Sequence, residues 1–335
     1  MAVETHLDIT PLKPEDIPDP NSAEFQQFLD THFAAGEKLA ESMDSWEKHS
    51  TRVDGTVQVV NLKNSSHCHE TRKTLGIKDY WCGRSSHHTA ESVNEFTRPK
   101  THHTSSYDPR QLVRSISHHF GRRSIDHTNH VADTKNGTEA ENDIERRESE
   151  VERQARVMKQ PPHGLYERFR RGLLEYHSEN EREYIESCRE THCLQVFQPH
   201  VAEVWKLTYV TPPPTSPRTF VVLLLSRELR TEPTGERCFM NISIPFNHPD
   251  CPEKKGDEKS RVRGRYVSVE RVRELDGGQR VEWRMATSSD AGGNIPRFVT
   301  NSSLPSSISE DVPSFLKWMA KRFPEGGPVE THPVA

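Results

Sequence analysis

The sequence predicts an α+β fold in which an antiparallel sheet is closed by a long C-terminal amphipathic helix. Three observations carry this expectation. From Val204 to Met285 apolar residues recur with period two in successive runs joined by short turns, the mark of antiparallel strands. Val312, Phe315, Leu316, Met319 and Phe323 then follow i, i+3, i+4, i+7, i+11, which puts them on one helix face. Apolar content is also uneven, with 17 apolar residues in the 74 from 89 to 162 against 33 in the 85 from 164 to 248. The 32% hydrophobic content of the 335-residue chain therefore averages an ordered frame with polar segments.

In chain order, residues 1–20 form a proline-rich lead expected to be disordered, and residues 21–88 hold the first elements of the domain. Asn21 with Glu24 reads as a capping box for a helix over 22–48, carrying Phe25, Phe28, Leu29, Leu39, Met43 and Trp46. TVQVVNL (56–62) and IKDYWCGRSS (77–86) read as strands. Residues 89–162, rich in Ser, His and mixed charge, are expected to be a disordered insertion, because they bury too little apolar surface to offset the entropy of ordering. The main body is expected over 163–323. Phe169, Leu173 and Tyr176 have helical spacing, and Ser178 with Glu181 gives a second capping signature. Runs around Val204–Tyr209, Thr219–Leu229, Cys238–Phe246, Arg263–Leu275 and Arg280–Ser288 are the meander strands, with a Gly277–Gly278 turn before the last. Ser309 is the expected cap of the closing helix, with Glu310 and Asp311 in its first turn and Lys317, Lys321 and Arg322 in its last. Residues 324–335 are expected to be a disordered tail.

The segment DAGGNIPRFVTNSSLPSSISEDVPSFLKWM (Asp290 to Met319) resembles the end of START lipid-transfer domains. YWCGRSSHH (80–88), FRRGLLEYHSENEREYIE (169–186) and TPPPTSPRTFVVLLLSREL (211–229) resemble a START-like family of unassigned function found in filamentous fungi. The resemblance implies a helix-grip fold of the START and Bet v 1 kind: a curved antiparallel sheet around the C-terminal helix, enclosing a cavity for one lipid or other hydrophobic small molecule. Trp205, Tyr209, Met240, Ile242, Trp283, Met285, Phe298, Phe315 and Met319 are the expected ligand-binding residues, the strand residues facing the apolar stripe of the closing helix. Gly292–Gly293 reads as a tight connection or a hinge for that helix. Trp318, off the centre of the stripe, is a candidate for transient contact with a membrane.

The charge and the motifs exclude other classes. A net charge of -5 without a dominant basic face argues against phosphate neutralisation, so no nucleic-acid partner is expected. The longest apolar run, Phe220 to Leu225, is too short to span a membrane, and the N-terminus lacks an apolar leader, so a cytoplasmic protein is expected. The six cysteines form no CxxC pair, and a disulfide framework is not expected. Histidines cluster as His67-Cys68-His69, His87-His88, His102-His103 and His118-His119, without the spacing that sets two ligands on one metal, so neither metal nor cofactor is expected. No catalytic residues are expected. The alternatives are a cyclase- or hydrolase-like enzyme using His177, Glu270 and Asp290 in the same cavity, and a regulatory or scaffold protein acting through the insertion. His177 with Glu181 could serve as an acid–base pair, but the capping signature accounts for Glu181 in the first instance.

Overall fold

The computed structural model describes residues 6–96, 164–210, 215–231, 235–253 and 262–324. The insertion expected from residue 97 onward, the proline turn after 210, most of the 247–261 hairpin tip and the tail lie outside these residues.

Helix α1 (Ala23–Ser42) begins at Ser22, whose hydroxyl accepts from the Phe25 amide at 3.2 Å. Its buried stripe is Phe25, Leu29, Phe33, Gly36, Leu39 and Ala40. Strands β1 (Glu47–Arg52), β2 (Val57–Leu62) and β3 (Trp81–His88) follow, with α2 (His69–Leu75) between the last two and α3 (Ala90–Glu95) after β3. The chain resumes with α4 (Gly164–Arg170), a π-helical turn over Arg171–Glu175, and α5 (His177–Tyr184). Next come β4 (Cys188–Gln198), β5 (Ala202–Tyr209), β6 (Arg218–Thr231), β7 (Glu236–Pro245), the short β8 (Val262–Arg263), β9 (Arg265–Leu275), β10 (Arg280–Asp290) and α6 (Arg297–Arg322).

The strands form one sheet in the order β1-β2-β3-β10-β9-β7-β6-β5-β4, and every ladder along it is antiparallel. Helix α6 lies across β2, β3 and β10, and α1 packs on β7, β9 and β10. The fold is the helix-grip arrangement, a curved antiparallel sheet around a C-terminal helix. Because side chains alternate between faces, register assigns each strand residue to the inner face, toward α6, or to the outer face, toward α1. Trp283 is opposite Ser86 and Val272, and Met285 is opposite Arg84 and Glu270, so all six belong to the inner face. Among the described residues no helix is long and apolar enough to cross a membrane.

The structure corrects four expectations. The lead is ordered from His6 onward: Leu12 donates to Pro245 O and accepts from Asn247 N, both at 2.8 Å, while Leu7 and Ile17 are buried. Order also continues past residue 88, through α3, which Thr89 and Ser92 cap reciprocally and Val93 anchors in the core. The helix expected over 22–48 with its cap at Asn21 is instead capped by Ser22 and ends at Ser42, giving way to the edge strand β1, where, as in β4 on the other edge, one flank is solvated and the period-two apolar signal fades. Finally, α6 starts at Arg297 and continues through Pro305 and Pro313, so Ser309 is not a cap. Its hydroxyl donates to the Pro305 carbonyl at 2.6 Å inside the helix. Two prolines remove two helix bonds, but the stripe Leu304, Ile308, Val312, Phe315, Leu316 and Met319 is buried along its length and holds the helix together.

Candidate functional site

The inner face changes character along its length. Under the C-terminal half of α6 it is packed apolar core: Trp283 meets Phe315 edge-on at 5.1 Å between centroids, Phe169 meets both, and Met319 is fully buried. Beneath Asp311 and α5 the side chains become polar. Arg84 of β3 is 1% exposed and stacks its guanidinium 3.9 Å over the Trp283 ring. Its Nη2 lies 3.8 Å from Glu270 of β9, whose Oε1 accepts from Trp283 Nε1 at 2.8 Å and whose Oε2 accepts from Asn241 Nδ2 at 3.3 Å. Among the described residues Nε and Nη1 of Arg84 have no hydrogen-bond partner, and neither has Asn241 Oδ1.

The π turn delivers the other side of the cluster. A π turn leaves carbonyls without their α-helical partners, and Asn180 Nδ2 donates to Arg171 O at 3.1 Å and Gly172 O at 3.0 Å. The Leu173 carbonyl accepts from Asn241 Nδ2 and His177 Nδ1, both at 2.8 Å. With the turn so fixed, α5 projects Glu181 and Tyr184 toward the sheet, and Tyr209 of β5 donates to Glu181 Oε1. Trp318 of α6 donates to Glu183 at 2.7 Å and fixes α6 against α5.

Electrostatics follows burial. Burial raises the Glu181 carboxyl, with His177 and Tyr209 opposing, and raises Tyr184, Tyr209 and Tyr266 as well. Burial also lifts Asp311 from 3.8 to about 7, with Arg84 opposing and Glu181 and Glu270 adding to the rise. Yet Glu181, Tyr184, Tyr209, Tyr266 and Asp311 are only half-buried by accessible surface. Beside His177 and Trp205 a cleft with a free volume of about 10 Å³, room for about one water, adjoins the cluster. Among the described residues no three His, Cys, Asp or Glu side chains gather as a metal site.

The expected ligand-binding residues are divided by this geometry. Trp283, Met285, Phe315 and Met319 meet on the inner face under α6, whereas Tyr209, which donates to Glu181, packs with the Trp205 cluster. Trp205 shares the face but lies in a separate cluster with Leu207, Val222 and Leu224, its indole donating to Glu203 at 3.1 Å. Met240 and Ile242 are on the outer face, packed into the notch at Gly36, where a Cβ would stand 2.7 Å from Met240 Sδ. The period-two pattern put both on one strand face; register shows that face to be the one toward α1. Phe298 points outward and is 73% exposed. Of the alternative acid–base residues, His177 Nδ1 is 3.7 Å from Glu270, and Asp290 pairs with Arg297 at the far end of β10. Sequence reasoning missed Arg84 altogether and gave Glu181 and Asp311 to helix capping. For Arg84 the available signal was a single arginine inside the apolar strand YWCGRSS, where a long charged side chain has no ordinary place.

Comparison with known proteins places residues 146–319 in the family described as "Protein of unknown function (DUF3074)". The chain belongs to this family. An uncharacterized protein of Schizosaccharomyces pombe is 24% identical over 163 residues, 48% of this chain, and the match spans 65% of that relative's length. Among solved structures, human StAR-related lipid transfer protein 5 is similar with a TM-score of 0.47 and 16% identity, over 90% of this chain and 100% of that one. Human STARD10 is similar with a TM-score of 0.46 and 13% identity, over 86% and 80%.

Proposed function

We propose that this DUF3074 chain binds one lipid or other hydrophobic small molecule on the inner face of its sheet without altering it, for carriage or sensing. Trp283, Met285 and Phe315 lie against the apolar part of the ligand, and Arg84, Asn241, Glu181 and Asp311 hold its polar end. The observation that supports this most is Arg84. A guanidinium fully withdrawn from water normally has its donors satisfied, yet two of its three nitrogens have no hydrogen-bond partner among the described residues. Tyr184 and Asp311 act on the same guanidinium. A polar group on a guest would satisfy both nitrogens. Acid–base catalysis is less well supported, because His177 Nδ1 is committed to the Leu173 carbonyl and stands beyond hydrogen-bond distance of Glu270. In this reading Phe298, exposed at the start of α6, contacts the membrane during exchange.

Native mass spectrometry of the chain purified from a eukaryotic host tests the reading. A bound, extractable hydrophobic molecule of unaltered mass after incubation is expected. Arg84→Met should lose it while keeping a wild-type melting profile, since an apolar residue of similar volume replaces a poorly satisfied buried charge. Absence of any ligand, with no uptake from a lipid panel, would overturn the proposal.

A further inference from the structure

Strand β3 turns three successive side chains to the inner face, and all three are polar: Arg84, Ser86 and His88 are 1%, 1% and 0% exposed. They are set around one ring. Trp283 stands opposite Ser86, the middle residue, in register. The Arg84 guanidinium lies 3.9 Å from the Trp283 ring, and the His88 ring centroid lies 6.3 Å from it, with Phe169 covering His88 at 5.6 Å. The two ends of this stripe are left open in the same way. Among the described residues Arg84 Nε and Nη1 have no hydrogen-bond partner, and neither has His88 Nδ1. Between them the Ser86 hydroxyl and His88 Nε2 are 2.8 Å apart. Burial, with the Arg84 charge adding, pushes His88 down to about 3, so at neutral pH its imidazole is uncharged and carries one ring hydrogen. With Ser86 donating to Nε2 that hydrogen stands on Nδ1 and is the one group left unpaired; the reverse tautomer would leave both the Ser86 hydrogen and Nδ1 unpaired. Each end of the stripe therefore presents N–H donors with nothing to accept from them, at a cost in free energy in a place closed to water.

We infer that the hydrophobic molecule taken on the inner face carries two separated oxygens, one accepting from Arg84 and one from His88, on an apolar body that lies against Trp283 between them. The inference rests on the reading of the inner face as a ligand site and adds a second polar point to it. Cα atoms four residues apart on a strand are separated by about 13 Å, so the oxygens belong at opposite ends of a compact body and not on one head group. Arg84 already has the Glu270 carboxylate at 3.8 Å, so the oxygen it takes need carry no charge, and a hydroxyl or carbonyl fits. A straight-chain amphiphile with a single head would leave one end of the stripe unpaired. Helix α6 covers the stripe, Phe315 meeting Trp283 at 5.1 Å, so the guest enters where α6 parts from β3 and β10.

The test offers the delipidated full chain three probes built on one rigid apolar body, delivered from cyclodextrin at pH 7.5: androstane-3,17-diol, androstan-3-ol and androstan-17-ol. Binding is read by tryptophan fluorescence and by native mass spectrometry. The diol should bind about tenfold more tightly than either mono-alcohol, the worth of one further buried hydrogen bond. His88→Phe, which keeps a ring beside Phe169 and Trp283 and removes both nitrogens, should bring the diol to the level of the mono-alcohols, and Arg84→Met should weaken all three; both variants are checked for a wild-type melting profile. The wild-type comparison decides the matter even if a variant does not fold. A mono-alcohol that binds as well as the diol, or a His88→Phe chain that keeps the preference for the diol, overturns the two-oxygen assignment and leaves the ligand site standing. Failure of all three probes also overturns the assignment, and failure of the probes together with the lipid panel overturns the ligand site as well.

Discussion

The two faces of strands β9 and β10 carry inverted charge ratios. On the inner face one arginine, Arg84, lies 3.8 Å from Glu270 of β9 and feels the Asp311 carboxyl of α6. On the outer face Arg271, Arg273 and Arg284 gather around one buried carboxylate, Glu282, which pairs with Arg284 at 2.9 Å and Arg271 at 3.2 Å. The outer surplus has a counterpart within the fold, because α1 ends there. Arg284 donates to the Ala40 carbonyl at 3.0 Å and pairs with Asp44 at 3.2 Å, while Glu41 stands 3.8 Å from Arg271 and Arg273. A helix C-terminus carries partial negative charge and free carbonyls, so arginines there fasten α1 to the sheet. The outer charges thus fasten α1 to the sheet, whereas on the inner face we propose that Arg84 keeps donors for a guest.

The sharpest way to break this contrast is to remove the outer carboxylate. Burial raises Glu282, but Arg284, Arg271 and Arg273 outweigh it and hold the carboxyl below its ordinary value. A depressed carboxyl contributes stability that is present above the unfolded-state pKa and is lost as pH falls through the folded value. Glu282→Gln leaves Arg271 buried without its partner and should cost about 3 kcal/mol near neutral pH. In urea unfolding the gap from wild type should narrow below about pH 4. A gap that does not change with pH would mean that packing, not charge, makes Glu282 matter.

How much of this was legible in the sequence follows the same division. The alternating strands, the amphipathic stripe of α6 and the buried stripe of α1 came through because each buries one continuous apolar face, and periodicity reports burial. Periodicity does not report which face of a strand meets which helix. Met240 and Ile242 therefore read as equivalent to Trp283 until register separated them. Ser309 read as the cap of the closing helix, which moved Asp311 into a first turn and hid its position inside the fold. Glu181 matched a capping box, and no local signal distinguishes a cap from a side chain aimed at Tyr209 some 28 residues away in sequence. The residues proposed to hold the polar end come one each from β3, β7, α5 and α6, and such long-range convergence leaves no spacing in the chain. The lone arginine of β3 was its one visible trace.

Replacing an inner carboxyl should have the opposite sign to the outer change. Asp311 is held at about 7 against 3.8 unfolded. A raised carboxyl contributes stability that is full below the unfolded value and is lost as pH rises through the folded value, so the cost builds between about pH 4 and 7 and is complete above that. Asp311→Asn removes that cost and should stabilise the chain by about 2 kcal/mol at pH 8, the pKa difference discounted for residual water access. The benefit should shrink toward zero at pH 4. Melting curves of Glu282→Gln and Asp311→Asn across this range should therefore diverge from wild type in opposite directions. Matching slopes would refute the claim that the two faces serve different ends.

The smallest change in stability is expected where neither face is touched. Phe298, at the start of α6, makes little contact with either core cluster, and Gly292 just upstream sits where a Cβ would meet the Arg263 carbonyl at 2.1 Å. That close approach, at a φ of 66°, pins the connection between β10 and α6 and fixes where Phe298 emerges. Phe298→Ser should alter unfolding free energy by less than about 0.5 kcal/mol, as for an exposed position. If Phe298 meets the membrane during exchange, the same variant should lower co-sedimentation with neutral phosphatidylcholine vesicles, because each apolar side chain withdrawn from water contributes about 1.5–3 kcal/mol to such contact. Unchanged sedimentation with unchanged stability would leave Phe298 an ordinary exposed residue and move the search for the exchange surface to another part of the molecule.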